Sequence, residues 1–524
     1  MRVTPVVQRV DTLLLQIEQV ASPTVREVAS RRRAALHDPL RLAVVGRVKA
    51  GKSTLVNALI GRRIAPTRAG ECTRVVTWFE FGSPDGAAVV HCHDGREIPI
   101  SLVDGRLPED LPVPAEQVKR LVVRLQSASL RGLTLIDTPG LSSLTRENEE
   151  VTRSAVLGDS LTSQHASGDA DAVLFLFRQE QREDEADFLK QFRAASGEMN
   201  GSAVNAVGVL SQADLLADAA GDDPMRPARD QARRLATSRI GEVGDVVPVS
   251  GLLAETSRTG RLRERDVVDL ATLAEVAPVR LRTGVGLDAV LAKDRVRDLQ
   301  DKLGPFGLEA GRLEASEGSD RFGEWLSDVS GIDGLQRLVR DHVQARAGGL
   351  KALRALDAVE RAARHSGADQ AVLDLVEQAL VAPELQIVRE IQAIGMLRST
   401  RVATDLIPEL ERLSRSDHPA EQLGLGRDTP AAEIASEARR RSGEAQTRAT
   451  LAYAPGEAEA ARVLAQSYRA IAQRAESPEP LPVPRPPVAT AQPPAATAQP
   501  PVATAEAPAA TARRVPPPPP PPPG

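Results

Sequence analysis

Eight residues constrain this chain more than any others. Gly46-Arg47-Val48-Lys49-Ala50-Gly51-Lys52-Ser53 fits G-x-x-x-x-G-K-[ST] at every fixed position. Ahead of it Leu42-Ala43-Val44-Val45 is a short apolar run that reads as a buried strand. Behind it Thr54-Leu55-Val56-Asn57-Ala58-Leu59-Ile60 carries apolar residues at helical spacing. Strand, glycine loop and helix start is the context that makes this pattern a phosphate cradle. The backbone N–H groups of the loop, Lys49, Ala50 and Gly51 among them, and the positive helix end face phosphate oxygens. Lys52 reaches the outer phosphates, and the Ser53 hydroxyl coordinates Mg2+.

A P-loop alone names neither the nucleotide nor the reaction. The second element is Leu133-Thr134-Leu135-Ile136-Asp137-Thr138-Pro139-Gly140, a strand ending in D-T-P-G. Asp137 at the strand end binds Mg2+ through water and the Gly140 N–H senses the γ-phosphate, a pairing of GTPases rather than of most ATPases. A loop between the two elements should offer a Thr to Mg2+ and to the attacking water. The segment Pro66–Val75 supplies Thr67 and Thr73. Thr73 is preferred, because it precedes an apolar strand and follows a glycine stretch. After the apolar run 203–210 comes Ser211-Gln212-Ala213-Asp214, where GTPases have [NT]-K-x-D. Asp214 is placed to accept from guanine N1 and N2, while Gln212 replaces the usual Lys, which weakens affinity without removing discrimination. Val247-Pro248-Val249-Ser250-Gly251 matches the strand-plus-Ser pattern of the last guanine loop.

The rest of the chain bounds this site. Residues 40–255 alternate strand-like and helix-like runs, which predicts a mostly parallel sheet covered by helices. The strands expected are 42–45, 75–81, 88–91, 121–125, 133–136, 172–177, 203–210 and 246–249, with a charged helix over 178–192. Residues 4–36 read as one amphipathic helix whose stripe needs helical partners from the far end of the chain. Beyond about residue 262 apolar residues recur at three and four, which predicts a helical bundle or stalk. Breaks are expected at Gly304-Pro305, Gly348-Gly349, Ser366-Gly367, Pro383, Pro419 and Pro430. The predicted divisions are 1–37, 38–260, 261–476 and a tail over 477–524. That tail holds about half of the 39 prolines, repeats PPVATAQ, PPAATAQ, PPVATAE and APAATAR, and ends in eight prolines before Gly524. Such a composition buries no core and is expected to be disordered.

Composition excludes several classes. A net charge of −5 argues against a general nucleic-acid binder. Two cysteines, Cys72 and Cys92, are too few for a disulfide framework and fit a reducing cytoplasm. The first residues are no signal peptide, and no apolar run approaches the roughly 18 residues of a membrane span. His91-Cys92-His93-Asp94 lacks a second ligand pair, and neighbouring strand residues point to opposite faces, so zinc is not expected.

With those residues in place, the sequence resembles the bacterial dynamin-like proteins, and among them the isoniazid-inducible GTPases of mycobacteria and their actinobacterial relatives. The likeness rests on GRVKAGKSTLVNALIG (46–61), PTRAGECTRVVTWFEFG (66–82), LIDTPGL (135–141) and DAVLFLFRQEQREDEADFL (171–189). It implies an α/β GTPase domain, an all-α neck and trunk joined by the N-terminal helix, and the Pro-rich tail. It implies that GTP is held by Gly46, Gly51, Lys52, Ser53 and Thr54, and that Mg2+ is served by Ser53, Thr73 and Asp137. Gly140 would read the γ-phosphate, with Gln212, Asp214, Ser250 and Gly251 at the base. Lys52 and Thr73 would be catalytic, and Lys49 is a candidate cation at the leaving group. Animal dynamins carry a Gln-Ser pair at Val48-Lys49, so their catalytic arrangement does not transfer there. The resemblance further implies a cytoplasmic GTP hydrolase, peripheral on inner-leaflet lipids, pairing through its heads with itself or a paralogous dynamin-like partner. The stripe Leu385, Val388, Ile391 and Ile394 or Leu397 is the best candidate for a membrane tip, but trunk core is the preferred reading of it. A nucleotide-binding scaffold with weak hydrolysis and a ribosome-associated GTPase are the competing functional readings.

Overall fold

The computed structural model describes residues 4–66, 74–139, 170–178, 189, 204–238, 243–367 and 369–476. Thr67, Thr73, Gly140, most of the helix expected over 178–192 and the tail from 477 lie outside the described residues. Where the periodicity predicts one N-terminal helix there are two, α1 (Pro5–Val20) and α2 (Pro23–Leu36). Pro23 is the cause: it excludes the helical conformation at the residue before it, and Ser22 is extended at ψ 159°. The two helices are tied by Arg33, whose Nε is 2.8 Å from Glu18 Oε1.

β1 (Leu40–Gly46) leads through the glycine loop into α3 (Lys52–Ile60). Then come β2 (Thr77–Phe81), β3 (Ala87–Cys92), β4 (Glu97–Ile100), β5 (Val118–Leu125), β6 (Leu133–Asp137), β7 (Ala172–Phe177) and β8 (Ala206–Ser211). α4 (Arg226–Ser238) precedes the last strand, β9 (Val246–Val249). The order across the sheet is β4-β3-β5-β2-β6-β1-β7-β8-β9. β1 lies between β6 and β7 and is parallel to both. The antiparallel pairings are β2 with β6 and β3 with β4 and β5; the rest of the described ladder is parallel. The sequence pattern missed β4, a short edge strand carrying Pro99, which cannot donate to a ladder and is tolerated only at such an edge.

Strand alternation gives the sheet two apolar faces. Ala43, Val45 and Phe175 face a core shared with Ala232 and Leu235 of α4. Leu42, Val44 and Leu174 face a core that contains Leu55 and Val56 of α3 and continues without a break into the helices beyond residue 331. A third cluster gathers α5 (Gly251–Arg258), α6 (Glu264–Ala271), α7 (Pro278–Thr283), α8 (Lys293–Ser316) and α9 (Ser319–Ser330) around Leu253 and Leu299. α8 kinks at Gly304, left-handed at φ 67° just before Pro305, where the sequence predicts a break.

The remaining helices are α10 (Ile332–Leu338), α11 (Ala347–Ser366), α12 (Gln370–Leu380), α13 (Gln386–Thr400), α14 (Ile407–Arg415), α15 (Pro419–Leu423), α16 (Ala431–Leu451) and α17 (Pro455–Glu476). α1 and α2 pack on α11, as the need to cover the α1 stripe requires. Ser22 seals the junction, donating from its backbone N–H and its hydroxyl to Asp369, each at 2.7 Å.

The break expected at Gly348-Gly349 falls just ahead of them, at Ala345-Arg346, and the two glycines lie in the first turn of α11. A Cβ on Gly348 would stand 2.7 Å from Thr4 Oγ1, and one on Gly349 would stand 2.8 Å from Ile391 Cδ1. These glycines serve close approach of α1 and α13. The stripe Leu385, Val388, Ile391, Ile394 and Leu397 is trunk core, the preferred of its two readings, because each residue is fully buried in the continuous core. No described helix is long and apolar enough to cross a membrane.

Candidate nucleotide-binding site

The loop after β1 has the geometry its glycines require. A Cβ on Gly46 would lie 2.9 Å from Leu176 Cβ and 3.0 Å from the Leu176 carbonyl oxygen, so β7 passes too close for any side chain. Gly51 is the N-cap of α3 at φ 87°, a conformation costly to residues with a Cβ. Between them Lys49 is also left-handed, at φ 62°, and its side chain is exposed. Ala50 is buried and donates its N–H to the Arg47 carbonyl at 3.1 Å. Lys52 Nζ folds back over the loop and donates to the carbonyls of Gly46 (3.1 Å) and Arg47 (3.0 Å). Burial lowers its pKa, and the charge of Asp137 opposes that shift.

Asp137 closes β6 in register with Val44 of β1, which sets it beside the start of α3. The Ser53 hydroxyl donates to Asp137 Oδ2 at 2.7 Å. The other oxygen, Oδ1, is buried and has no well-formed hydrogen bond among the described residues. Burial pushes the carboxyl up to about 6 against the pull of Lys52. A buried carboxylate oxygen short of a partner, with a hydroxyl oxygen at hydrogen-bond distance from its twin, fits a hard divalent cation such as Mg2+. Thr138 ties the strand end back to β1 by donating its hydroxyl to the Val44 carbonyl at 2.8 Å.

The elements expected to face a base converge on the same loop. Ser211 at the end of β8 donates its hydroxyl to the Phe177 carbonyl at 2.9 Å. Gln212 follows, left-handed at φ 55°, and its Nε2 donates to the Lys49 carbonyl at 3.4 Å. Thus the Gln that stands in the Lys position still bridges to the phosphate loop, through a long, neutral hydrogen bond. Asp214 is half-buried on the turn beyond. Ser250 is fully buried and caps α5, its Oγ accepting from the Leu253 N–H at 3.5 Å. Gly251 comes against the loop, since a Cβ there would sit 3.7 Å from Thr54 Cγ2 and 3.8 Å from the Gly51 carbonyl oxygen. Gly51, Thr54, Gln212, Asp214, Leu215 and Gly251 line one cavity of about 230 Å3. Ala50, Gly51, Thr54, Gln212, Asp214 and Gly251 thus share one cavity, whereas Gly46, Lys49, Lys52, Ser53, Asp137 and Ser250 do not line it. Leu215, exposed at its rim, carries no sequence signal that marks it.

A phosphate cradle on the central strand, with a helical body continuous with its sheet, has the build of a large GTPase rather than of a small switch protein. The chain belongs to the dynamin family, whose sequence profile matches residues 42–212. It is 33% identical over 437 residues to the isoniazid-induced protein IniC of Mycobacterium tuberculosis, covering 77% of this chain and 84% of that protein. A bacterial dynamin-like protein of Nostoc punctiforme is 31% identical over 124 residues, 21% of this chain and 18% of that one. Among solved structures, one of an oligomerised bacterial dynamin pair is 12% identical with a TM-score of 0.33, over 89% of this chain and 90% of that chain, a likeness too loose to bear on function. The domain is thus a GTPase domain of a GTP-hydrolysing family, and the chain is a bacterial dynamin-like GTPase similar to IniC.

Proposed function

We propose that this GTPase couples Mg2+-dependent GTP hydrolysis to pairing of its heads and to remodelling of a membrane it contacts peripherally. The observation that carries the reading is the apolar cluster running from Leu42 and Val44 of the sheet into α11 and α13, a packed path by which a movement at the sheet would pass to the helices. Identity to the mycobacterial relative over 437 residues supports it, because the match extends far beyond the GTPase profile. Ser53 and Asp137, with Thr73, hold Mg2+, which neutralises charge on the phosphates. Lys52 binds the outer phosphates, Gly140 reads the γ-phosphate, and Lys49 supplies a cation toward the leaving group. Gln212, Asp214 and the Ser250-Gly251 turn hold guanine. The partner is a second copy or a paralogous dynamin-like chain. The relative's name, isoniazid-induced, supports a role in drug or envelope stress.

The membrane contact belongs at the α16–α17 turn. Tyr453 is fully exposed there and Leu451 is 69% exposed. Nearby Arg448 is paired with Asp405 and Glu457, and Arg440 with Glu437 and Glu444, so the tip offers an aromatic and an aliphatic group with little free charge. Such a pair suits the boundary between headgroups and acyl chains. The test is GTP turnover with and without anionic liposomes, with Lys52→Ala as the control. Stimulation on the order of tenfold, lost in Lys52→Ala, is expected. Turnover that ignores both liposomes and protein concentration would sink the reading.

A further inference from the structure

Asn57 lies on α3 beyond the phosphate-loop lysine, is 1% exposed, and lines no part of the nucleotide cavity. Its side chain spends every hydrogen-bonding position it has. Oδ1 accepts from the backbone N–H groups of Ile64 (3.0 Å) and Ala65 (2.8 Å). Nδ2 donates to the Ala65 carbonyl (3.0 Å) and to Glu255 Oε1 (2.8 Å). These partners fix the amide orientation, since the flipped amide would set N–H groups against N–H groups. Glu255 is itself 2% exposed on α5, and its second oxygen lies 3.5 Å from Arg63 Nε and 3.7 Å from Arg261.

The placement of α5 gives this cluster a meaning beyond packing. Its first residue, Gly251, abuts Gly51 and Thr54 at the nucleotide cavity, and Glu255 stands one turn later. A buried amide with four partners is a costly way to fill space, because each lost partner leaves a polar group unpaired. What it secures is one register between α5 and Ile64-Ala65, the residues that lead toward Thr73.

We infer that Asn57, through Glu255, is a positioning residue for hydrolysis: it locks the approach to the Thr73 segment onto the helix that carries the guanine loop. The inference rests on the reading of Thr73 as the residue that serves Mg2+ and the attacking water.

The experiment uses the full chain. Asn57→Asp keeps both acceptors for the Ile64 and Ala65 amides but sets a carboxylate against Glu255 and against the Ala65 carbonyl. It is expected to lower kcat on the order of tenfold or more while KM for GTP and Kd for GDP stay within about threefold. The double variant Asn57→Asp with Glu255→Gln reverses the polarity, because the new amide on α5 donates to the new carboxylate on α3 and one negative charge stays near Arg63 and Arg261. It is expected to regain part of the lost kcat, since the link to α5 returns while the Ala65 carbonyl still lacks its donor. A fall in GDP affinity in step with kcat, an unchanged kcat, or no recovery in the double variant overturns the inference. If Asn57→Asp does not fold, Asn57→Ser keeps an acceptor, drops the Glu255 link and is held to the same kcat and Kd criteria. Thr73→Ala is run in parallel. Full activity in Thr73→Ala refutes the threonine reading, whereas an inactive Thr73→Ala beside an unaffected Asn57→Asp refutes the positioning role alone.

Discussion

Replacing Glu390 with Gln should stabilise the protein at alkaline pH and lose that advantage in acid. Glu390 sits on α13 with 4% of its surface exposed, and its Oε1 accepts the Ser467 hydroxyl of α17 at 2.6 Å. Burial lifts its pKa from 4.5 to about 7; the Ser467 hydrogen bond and the charges of Arg346, Arg474 and Arg389 pull the other way and lose. Because the folded carboxyl binds its proton more tightly than the unfolded one, the native state holds more protons between those values. Stability therefore falls as pH rises from 4.5 through 7 and is level above. The interval between those two values, at about 1.4 kcal/mol per pH unit, sets the cost of the charged form at about 3.5 kcal/mol above neutrality. Gln keeps an acceptor for Ser467 but brings an amide N–H2 that must find partners, which takes back about 1–2 kcal/mol. Urea unfolding followed by far-UV circular dichroism, at about pH 4.5 and pH 8, should show the difference between Glu390→Gln and wild type moving by about 2–3 kcal/mol in favour of the variant. Other carboxylates cancel in that difference. An offset equal at both pH values, or a variant weaker in the alkaline buffer than in the acidic one, would refute a charged, uncompensated Glu390.

Two further substitutions test the site and its support. Gln212→Lys replaces a neutral donor at 3.4 Å from the Lys49 carbonyl with a charged one; a half-exposed charge-assisted bond is worth about 1 kcal/mol, so GDP should bind roughly fivefold tighter by fluorescence titration. Unchanged affinity would mean the bridge contributes nothing. Gly331→Ala introduces a Cβ 2.2 Å from the Pro248 carbonyl oxygen at a residue held at φ 73°. It should cost about 3 kcal/mol and weaken GTP binding, since Pro248 lies just ahead of Ser250; retained stability would show that β9 yields there at little cost.

The loop after β1 and the end of β6 were legible because they are local. Gly46–Ser53 and Asp137–Thr138 are short runs whose residue types suffice for a loop, a helix start and a strand end. The base end was legible only in part. The Asp214 motif marks a position, but that Gln212 reaches the Lys49 carbonyl depends on β1 and β8 flanking β7 on its two sides, which no local pattern encodes. Asn57 reads in sequence as one more helix residue, because its partner Glu255 is 198 positions away.

The sequence by itself determined the fold class, a P-loop sheet carrying a long helical body, because apolar period and glycine loops follow from backbone geometry over a few residues. What covers each apolar stripe only the tertiary structure decided. Val6–Ile17 and Leu385–Leu397 have the same helical period, yet the period says only that a face is apolar. Packing put both stripes in the core and left Leu451 and Tyr453, which no period marks, in the open. The glycines of α11 make the same point: a residue without a side chain permits a break or a close approach, and here the chain breaks just before them while a Cβ on Gly348 or Gly349 would stand 2.7 Å from Thr4 Oγ1 or 2.8 Å from Ile391 Cδ1.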